Sequence, residues 1–151
     1  MTATIVQLSV SRGGVPKHAV AEARVTSQGL AGDVQKHPKI HGGPSRAVCL
    51  YSLEVIERLR AEGHPIAPGT TGENVTITGL DWATLGPGAR LALGDDVVLE
   101  VTTLAVPCKQ IAASFRDGDS QRIARLGEAR LYTRVIRAGT LRPGDPVRPC
   151  T

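Results

Sequence analysis

Residues 85–103 read LGPGARLALGDDVVLEVTT, and this stretch decides the class of fold. A Leu-Gly-Pro-Gly turn leads into residues 89–93, and a Gly-Asp-Asp turn then leads into residues 97–103. In the second segment every other residue is aliphatic: Val97, Leu99 and Val101. A period of two is that of a strand with one buried face, and glycine turns join such strands tightly. The stretch therefore predicts a pair of short β-strands.

The same signals recur along the rest of the chain. We predict further strands over residues 4–10, 21–27, 46–51, 73–78 and 130–137. In the first of these Val6, Leu8 and Val10 share a face, and the second is expected to be its hairpin partner. The 17 glycines and 10 prolines are typical of a turn-rich protein, since long helices avoid them. We predict a mainly β fold with a few short helices, arranged as a closed or semi-closed barrel in one domain over residues 1–151.

One helix of ordinary length is predicted to begin after Ser52. Serine is a favourable N-cap, and the apolar positions that follow have helical spacing: Leu53, Ile56 and Leu59. Gly63 supplies a stop. Shorter helices are predicted over residues 107–115 and 119–126, and the glycine- and proline-rich residues 28–45 are predicted to form a long loop.

Composition narrows the classes of function. No apolar run approaches the roughly 20 residues of a membrane span, and residues 1–10 lack a secretion signal. We therefore expect a cytoplasmic location and no membrane partner. Three cysteines form an odd and sparse set, which favours reduced thiols over a disulfide framework. Aromatic residues make up only 3 %, so nucleic acid is not an expected partner, because stacking on aromatic rings is a common way to hold bases.

Basic residues are concentrated in the last third of the chain. From residue 108 onward nine Lys and Arg stand against four Asp and Glu, whereas the first 107 residues contain nine against ten. A solvated surface explains this excess most simply. A site for a phosphate or another anion is the alternative.

Cys108 is the main candidate for chemistry. It follows a predicted strand in the run Val-Pro-Cys-Lys, and Pro107 is well tolerated as the first residue of a helix. Free backbone amides at a helix start, together with the neighbouring Lys109, would favour a thiolate. Thiolate is the form that attacks electrophiles and binds soft metals. A buried structural cysteine is the alternative, and it is our interpretation of Cys49, which apolar residues flank.

Two glycine-containing loops carry further polar candidates: Asp33, His41, Gly42, Gly43, Gly72, Glu73 and Asn74. Glycines let backbone amides approach a ligand closely, and His41 offers a proton or a hydrogen bond. Asn74 can donate and accept at once, and Glu73 can orient neighbouring groups. Ordinary turns and a barrel corner are the alternative explanations of these loops.

Taken in order, these pieces resemble the MOSC family, which is named for the C-terminal domain of molybdenum cofactor sulfurases. The matching segments are residues 32–35 (GDVQ), 41–43 (HGG), 46–48 (RAV) with Tyr51, 69–75 (GTTGENV), 85–88 (LGPG), 93–94 (LG), 98–101 (VLEV) and 107–108 (PC). They span more than half of the chain, and their order and spacing make the resemblance specific.

The resemblance implies a β-barrel of strongly bent strands, related in shape to the barrel domain of pyruvate kinase, with Cys108 as the essential cysteine. In relatives that reduce N-hydroxylated compounds, the matching cysteine ligates molybdenum in the molybdenum cofactor. On this hypothesis Cys108 is the metal ligand, and Cys108, His41 and Asn74 are catalytic. The expected cofactor-binding residues are Asp33, His41, Gly42, Gly43, Gly72, Glu73, Asn74 and Lys109.

The chain departs from the family pattern at Ala105. Many relatives carry an arginine shortly before the Pro-Cys pair, and arginine commonly holds phosphate with two hydrogen bonds. In this chain Lys109, or arginines of the basic last third, would have to take that role.

Three functions follow as hypotheses. The first is a molybdenum-cofactor-dependent reductase of N-hydroxylated small molecules with an external redox partner, since three dispersed cysteines cannot hold a four-cysteine cluster and no dinucleotide fingerprint is present. The second is a sulfur carrier in which a cysteine desulfurase loads Cys108 as a persulfide. The third is a non-catalytic module that holds an anion or a partner protein.

Overall fold

The computed structural model describes residues 2–34 and 43–151. Eleven strands lie within these ranges: β1 (Ala3–Val10), β2 (His18–Val20), β3 (Ala23–Thr26), β4 (Gly29–Leu30), β5 (Val48–Ser52), β6 (Val75–Thr78), β7 (Arg90–Leu93), β8 (Val97–Leu104), β9 (Leu131–Arg137), β10 (Gly139–Leu141) and β11 (Pro146–Cys150). The mainly β fold predicted from the sequence is confirmed.

Seven of the described strands close into a barrel in the order β1, β11, β7, β8, β9, β5, β6. The barrel closes because β1 pairs with β6 on one side and with β11 on the other. Strands β5 and β6 run parallel, and their barrel neighbours pair antiparallel. The stretch that decided the class of fold forms β7 and β8, in which Leu91 lies opposite Leu99. Val97, Leu99 and Val101 all point into the core, as their alternation predicts.

In the first strand Leu8 and Val10 lie toward the core, as their alternation predicts, but Val6 does not. The pairing of β1 with β6 shifts register between Ile5 and Gln7, which marks a β-bulge. As a result Ile5 and Leu8 are buried, whereas Val6 is 37 % exposed. An extra residue in one strand turns the following side chains to the opposite face, so strict alternation does not hold across a bulge.

The predicted hairpin partner of β1 is corrected by the structure. Strand β2 pairs with β1, whereas β3 pairs with β10 and β4 in a separate three-stranded sheet. The chain bends at residues 21–22 between β2 and β3. The three residues of β2 follow the turn at residues 12–15 and pair with β1. They therefore occupy the edge of β1 that was predicted to pair with residues 21–27.

The predicted helix begins after Ser52 as expected. Helix α1 spans Leu53–Ala61, and the hydroxyl oxygen of Ser52 accepts the backbone N–H of Val55 at 3.2 Å. The two shorter helices are 3-10 turns, Lys109–Ser114 and Ser120–Ile123, and both are shorter than predicted. Within the described residues no helix has the length and apolar character needed to cross a membrane.

Candidate functional site

A cleft opens at one end of the barrel, where the chain leaves β8. Three backbone segments meet there: residues 14–17 after β1, residues 71–72 before β6, and residues 106–111 after β8. The lining side chains that matter for chemistry are Lys17, Cys49, Thr71, Cys108, Arg130 and Tyr132. The cleft thus brings together residues that are far apart in the sequence.

Cys108 is half-buried and lines this cleft. It lies four residues beyond the last residue of β8, and it is the N-cap of the 3-10 turn Lys109–Ser114. Its carbonyl accepts the N–H of Ile111 at 3.2 Å. The helix expected to begin at Pro107 therefore begins two residues later and as a tighter turn, because Cys108 itself has extended dihedral angles.

Arg130 is a buried cation in the cleft wall, directly before β9, and only 6 % of its surface is exposed. Its Nη1 donates to the carbonyl of Thr71 at 2.6 Å, and its Nη2 donates to the carbonyl of Val106 at 3.4 Å. Within the part of the chain that the structure describes, its Nε has no hydrogen-bond partner and no carboxylate forms an ion pair with it. Because a buried cation without a counter-ion is costly, this wall favours an anion.

Lys17, in contrast, has a counter-ion beside it. Its Nζ lies 2.7 Å from Oδ2 of Asp33, and both side chains are about 5 % exposed. The amide of Asn74 joins this pair: its Nδ2 donates to Asp33 Oδ2 at 2.9 Å and to the Ser9 carbonyl at 3.2 Å, and its Oδ1 accepts the N–H of Cys49 at 3.0 Å. Asn74 is indeed a two-sided hydrogen bonder, and it ties Asp33 to strands β1 and β5.

Glu73 is buried behind the cleft and organises the loop in front of it. Its carboxyl oxygens accept the N–H of Gly69 at 2.9 Å and the hydroxyl of Thr71 at 2.9 Å. Burial raises the pKa of Glu73, and these hydrogen bonds oppose the rise.

Gly69 has a φ of +87°, and a Cβ there would lie 2.5 Å from the carbonyl of Lys17. Only glycine therefore lets the two loops pack backbone to backbone at this point.

Two further titratable groups line the cleft. Burial raises the pKa of the Cys49 thiol to about 11, and the Arg130 guanidinium opposes this rise. Burial also raises the pKa of the Tyr132 phenol to about 12. Both groups are therefore protonated at neutral pH. The expectation that Cys49 is a core residue agrees with its 5 % exposure, although it also borders the cleft.

The remaining predicted site residues are distributed unevenly. Gly72 lines the cleft, whereas the described lining residues do not include Lys109, which is exposed, or Gly43, which precedes the 3-10 turn Pro44–Arg46. His41 and Gly42 lie outside the described residues. The catalytic and cofactor-binding roles assigned to these residues stay predictions.

Comparison with known proteins decides the family. The sequence profile described as the MOSC domain matches residues 37–148 of this chain, about three quarters of its length. The chain belongs to the MOSC domain family.

Relatives of this MOSC chain include the Bacillus subtilis protein YflK, which is 27 % identical over 137 residues, covering 89 % of this chain and 62 % of YflK. A Gibberella moniliformis protein named "Reductase" is 33 % identical over 112 residues, covering 71 % of this chain and 20 % of that protein. The chain thus spans less than two thirds of the length of either relative. The crystal structure of YiiM from Geobacillus stearothermophilus superposes with a TM-score of 0.77 at 24 % identity, covering 99 % of this chain and 75 % of YiiM, and shows the same fold.

Although this MOSC domain has Ala105 where many relatives carry an arginine, another arginine, Arg130, lies beside Ala105. Ala105 is buried, and its N–H donates to the carbonyl of Arg130 at 2.8 Å. Arg130, which is hydrogen bonded to Ala105 just beyond the ends of β8 and β9, therefore supplies a guanidinium to the cleft. Arg130 was not among the residues predicted from the sequence, where its only signal was the excess of basic residues after Cys108.

Three of the other eight basic side chains in that segment form ion pairs away from the cleft, and Lys109, Arg116, Arg125, Arg137 and Arg148 are exposed. Arg122 forms ion pairs with Glu62 at 2.8 Å and with Glu128, Arg134 with Glu100 at 2.9 Å, and Arg142 with Glu22 at 2.9 Å. The basic character of the segment is thus largely a property of the solvated surface. Lys17 was also missed, although its loop, SRGGVPK, has the glycine pair and the cations that would have indicated an anion-binding loop.

Proposed function

We propose that this MOSC domain is a molybdenum-cofactor-dependent reductase of N-hydroxylated small molecules, with Cys108 as the protein ligand to the metal. The proposal rests on one observation: the half-buried Cys108 thiol shares a cleft with the buried, unpaired Arg130. A thiolate suits a soft metal, and a guanidinium suits a phosphate. Membership of the MOSC family and the similarity to a protein named "Reductase" support the same conclusion.

The residue types of the cleft suit an anionic group that carries its own metal ligands, but its volume of about 40 Å³ holds only a few waters, so only one end of such a group would enter it. Cys108 would provide one sulfur, Arg130 would meet the negative charge, and Gly72 leaves backbone close to the ligand. Within residues 2–34 and 43–151, no three His, Cys, Asp or Glu side chains are placed to hold a metal ion. The remaining metal ligands would therefore come from the cofactor.

When bound, the cofactor would supply the redox chemistry that breaks the N–O bond. Reduction of an N–OH group to N–H consumes two electrons and two protons and releases water. The electrons would come from an external reductant, a flavoprotein or iron–sulfur protein. Asn74 would act as a positioning residue, because its bond to the N–H of Cys49 fixes the strand that lines the cleft.

Metal and pterin content test the proposal directly. The protein is purified from a host that makes the molybdenum cofactor, and molybdenum is measured by mass spectrometry and pterin by fluorescence. We expect both in the wild type, neither in Cys108→Ser, and both in the matched control Cys150→Ser, because Cys150 lies in β11 away from the cleft. Reduction of an amidoxime by chemically reduced viologen should follow the molybdenum content. Wild-type protein that is free of cofactor from such a host would refute the proposal.

A sulfur carrier is the second candidate. The Cys108 thiol shares the cleft with the Arg130 guanidinium, which has no described carboxylate as counter-ion, and this arrangement suits a persulfide anion on Cys108. A desulfurase persulfide would transfer its outer sulfur to Cys108, which leaves the desulfurase as a free thiol. Mass spectrometry after incubation with a cysteine desulfurase would show a gain of one sulfur on Cys108. An unmodified Cys108 after such incubation would exclude this role.

A further inference from the structure

A second, apolar depression adjoins the cleft of Cys108. Its wall includes Val15, Pro16, Pro65, Ile111 and Ala113, and we call it the apolar groove. The described residues that line it include no charged side chain. This composition contrasts with the cleft, which contains Arg130 and Lys17.

The groove and the cleft share a wall. Val15, Gln110 and Ile111 line both of them. Ile111 also donates its N–H to the carbonyl of Cys108 at 3.2 Å, so the shared wall is anchored to the cysteine itself. A small molecule that reaches the cleft of Cys108 therefore has the groove directly beside it.

The two hydroxyls of the groove are already engaged within the protein. The hydroxyl of Ser114 donates to the hydroxyl of Thr70 at 2.9 Å, and that of Thr70 donates to the carbonyl of Ala67 at 2.9 Å. Thr70 also accepts the N–H of Ala67 at 3.1 Å. Among the described lining residues a charged ligand group would therefore meet no counter-ion and neither of these hydroxyls as a free partner.

We propose that the apolar groove binds the neutral, apolar body of the substrate, such as an aryl ring, while the reacting group lies at the metal that Cys108 would hold. The identity of this occupant as a substrate rests on the proposed reductase function. The groove disfavours substrates whose body carries a phosphate or a carboxylate. The chemical class is therefore that of N-hydroxylated compounds with an uncharged apolar body.

Alkylation of Cys108 tests the groove without any cofactor. The rates of Cys108 modification by iodoacetamide and by N-benzyl iodoacetamide are compared on cofactor-free protein, and each is divided by its rate with glutathione. We expect the benzyl reagent to saturate and to be favoured by about tenfold, which corresponds to burial of roughly 50 Å² of ring surface. Equal normalised rates for the two reagents would overturn the proposal.

A matched pair of charge insertions locates the effect. Ala113→Asp places a carboxylate in the groove at an exposed position, and Ala124→Asp makes the same change at an exposed position outside it. The benzyl preference should fall to near one in Ala113→Asp and stay near tenfold in Ala124→Asp. Unchanged circular dichroism and unfolding midpoints show that both variants are folded. A preference that survives in Ala113→Asp would refute the assignment of the groove.

The two proposals are tested separately by these measurements. A benzyl preference in a protein that never acquires molybdenum keeps the groove as a binding site and rejects its occupant as a reductase substrate. With active enzyme, Ala113→Asp should raise KM for an aryl amidoxime and leave kcat nearly unchanged. A loss confined to kcat would contradict a role of the groove in binding.

Discussion

Replacing Arg130 with methionine should abolish binding of the proposed cofactor while leaving the cofactor-free fold at least as stable as before. The variant loses a charged hydrogen bond of 2.6 Å to the Thr71 carbonyl, a contribution of about 1.5–3 kcal/mol. The 3.4 Å contact with the Val106 carbonyl adds little, because hydrogen bonds weaken steeply with length.

Opposite contributions come from the charge itself. Arg130 buries an Nε without a partner, which costs about 1–3 kcal/mol, and an ion without a carboxylate, which costs several kcal/mol more. Methionine fills a similar volume with an apolar and adaptable chain. These contributions favour the variant, so we expect the free energy of unfolding to stay the same or to rise by up to about 4 kcal/mol.

Urea denaturation of the cofactor-free proteins measures this difference, and molybdenum analysis measures the loss of cofactor. Arg122→Met is the matched control, since it breaks surface ion pairs with Glu62 and Glu128 and should keep the cofactor. Arg130→Lys should bind less cofactor than the wild type, because an ammonium cannot make the paired bonds of a guanidinium. A loss of more than about 4 kcal/mol in Arg130→Met would show that Arg130 is a structural tie, and full molybdenum content would show that it does not hold the cofactor.

Three further predictions concern the scaffold of the site. Asn74→Ala should lower the free energy of unfolding by about 3 kcal/mol in urea, since it leaves buried partners of three hydrogen bonds unpaired; a change below about 1 kcal/mol would contradict this. At pH 7.5 iodoacetamide should modify Cys108 and not Cys49, because a pKa raised to about 11 keeps Cys49 as the unreactive thiol. Peptide mass spectrometry should show Cys49 reacting only as the pH nears 11. Equal labelling of the two cysteines at pH 7.5 would refute the reasoning. Gly69→Ala should lower the free energy of unfolding by at least about 2 kcal/mol more than Gly13→Ala. Both glycines have positive φ, but a Cβ at Gly13 meets open space, whereas one at Gly69 meets the carbonyl of Lys17. Equal unfolding midpoints would contradict the close packing of the loops.

Much of the fold was predictable because its signals are local. The alternation in residues 97–103 and the Ser52 cap depend on neighbours a few residues away, so pattern alone identified β8 and the start of α1. The hairpin partner of β1 and the placement of Val6 with the buried residues of β1 were predicted wrongly. Both depend on tertiary pairing: a bulge against β6 turns Val6 outward, and β2 reaches the edge of β1 before residues 23–26 do.

By itself the sequence determined a turn-rich β-barrel of the MOSC family and a thiol at Cys108 that follows a strand. Only the tertiary structure decided what surrounds that thiol. Arg130 reaches the cleft because β9 pairs with β8 and brings it beside Ala105, and Lys17 reaches it because the loop after β1 packs on Gly69. The sequence gives the charge of each residue directly. Whether that charge lies beside a counter-ion depends on contacts between segments that are distant along the chain.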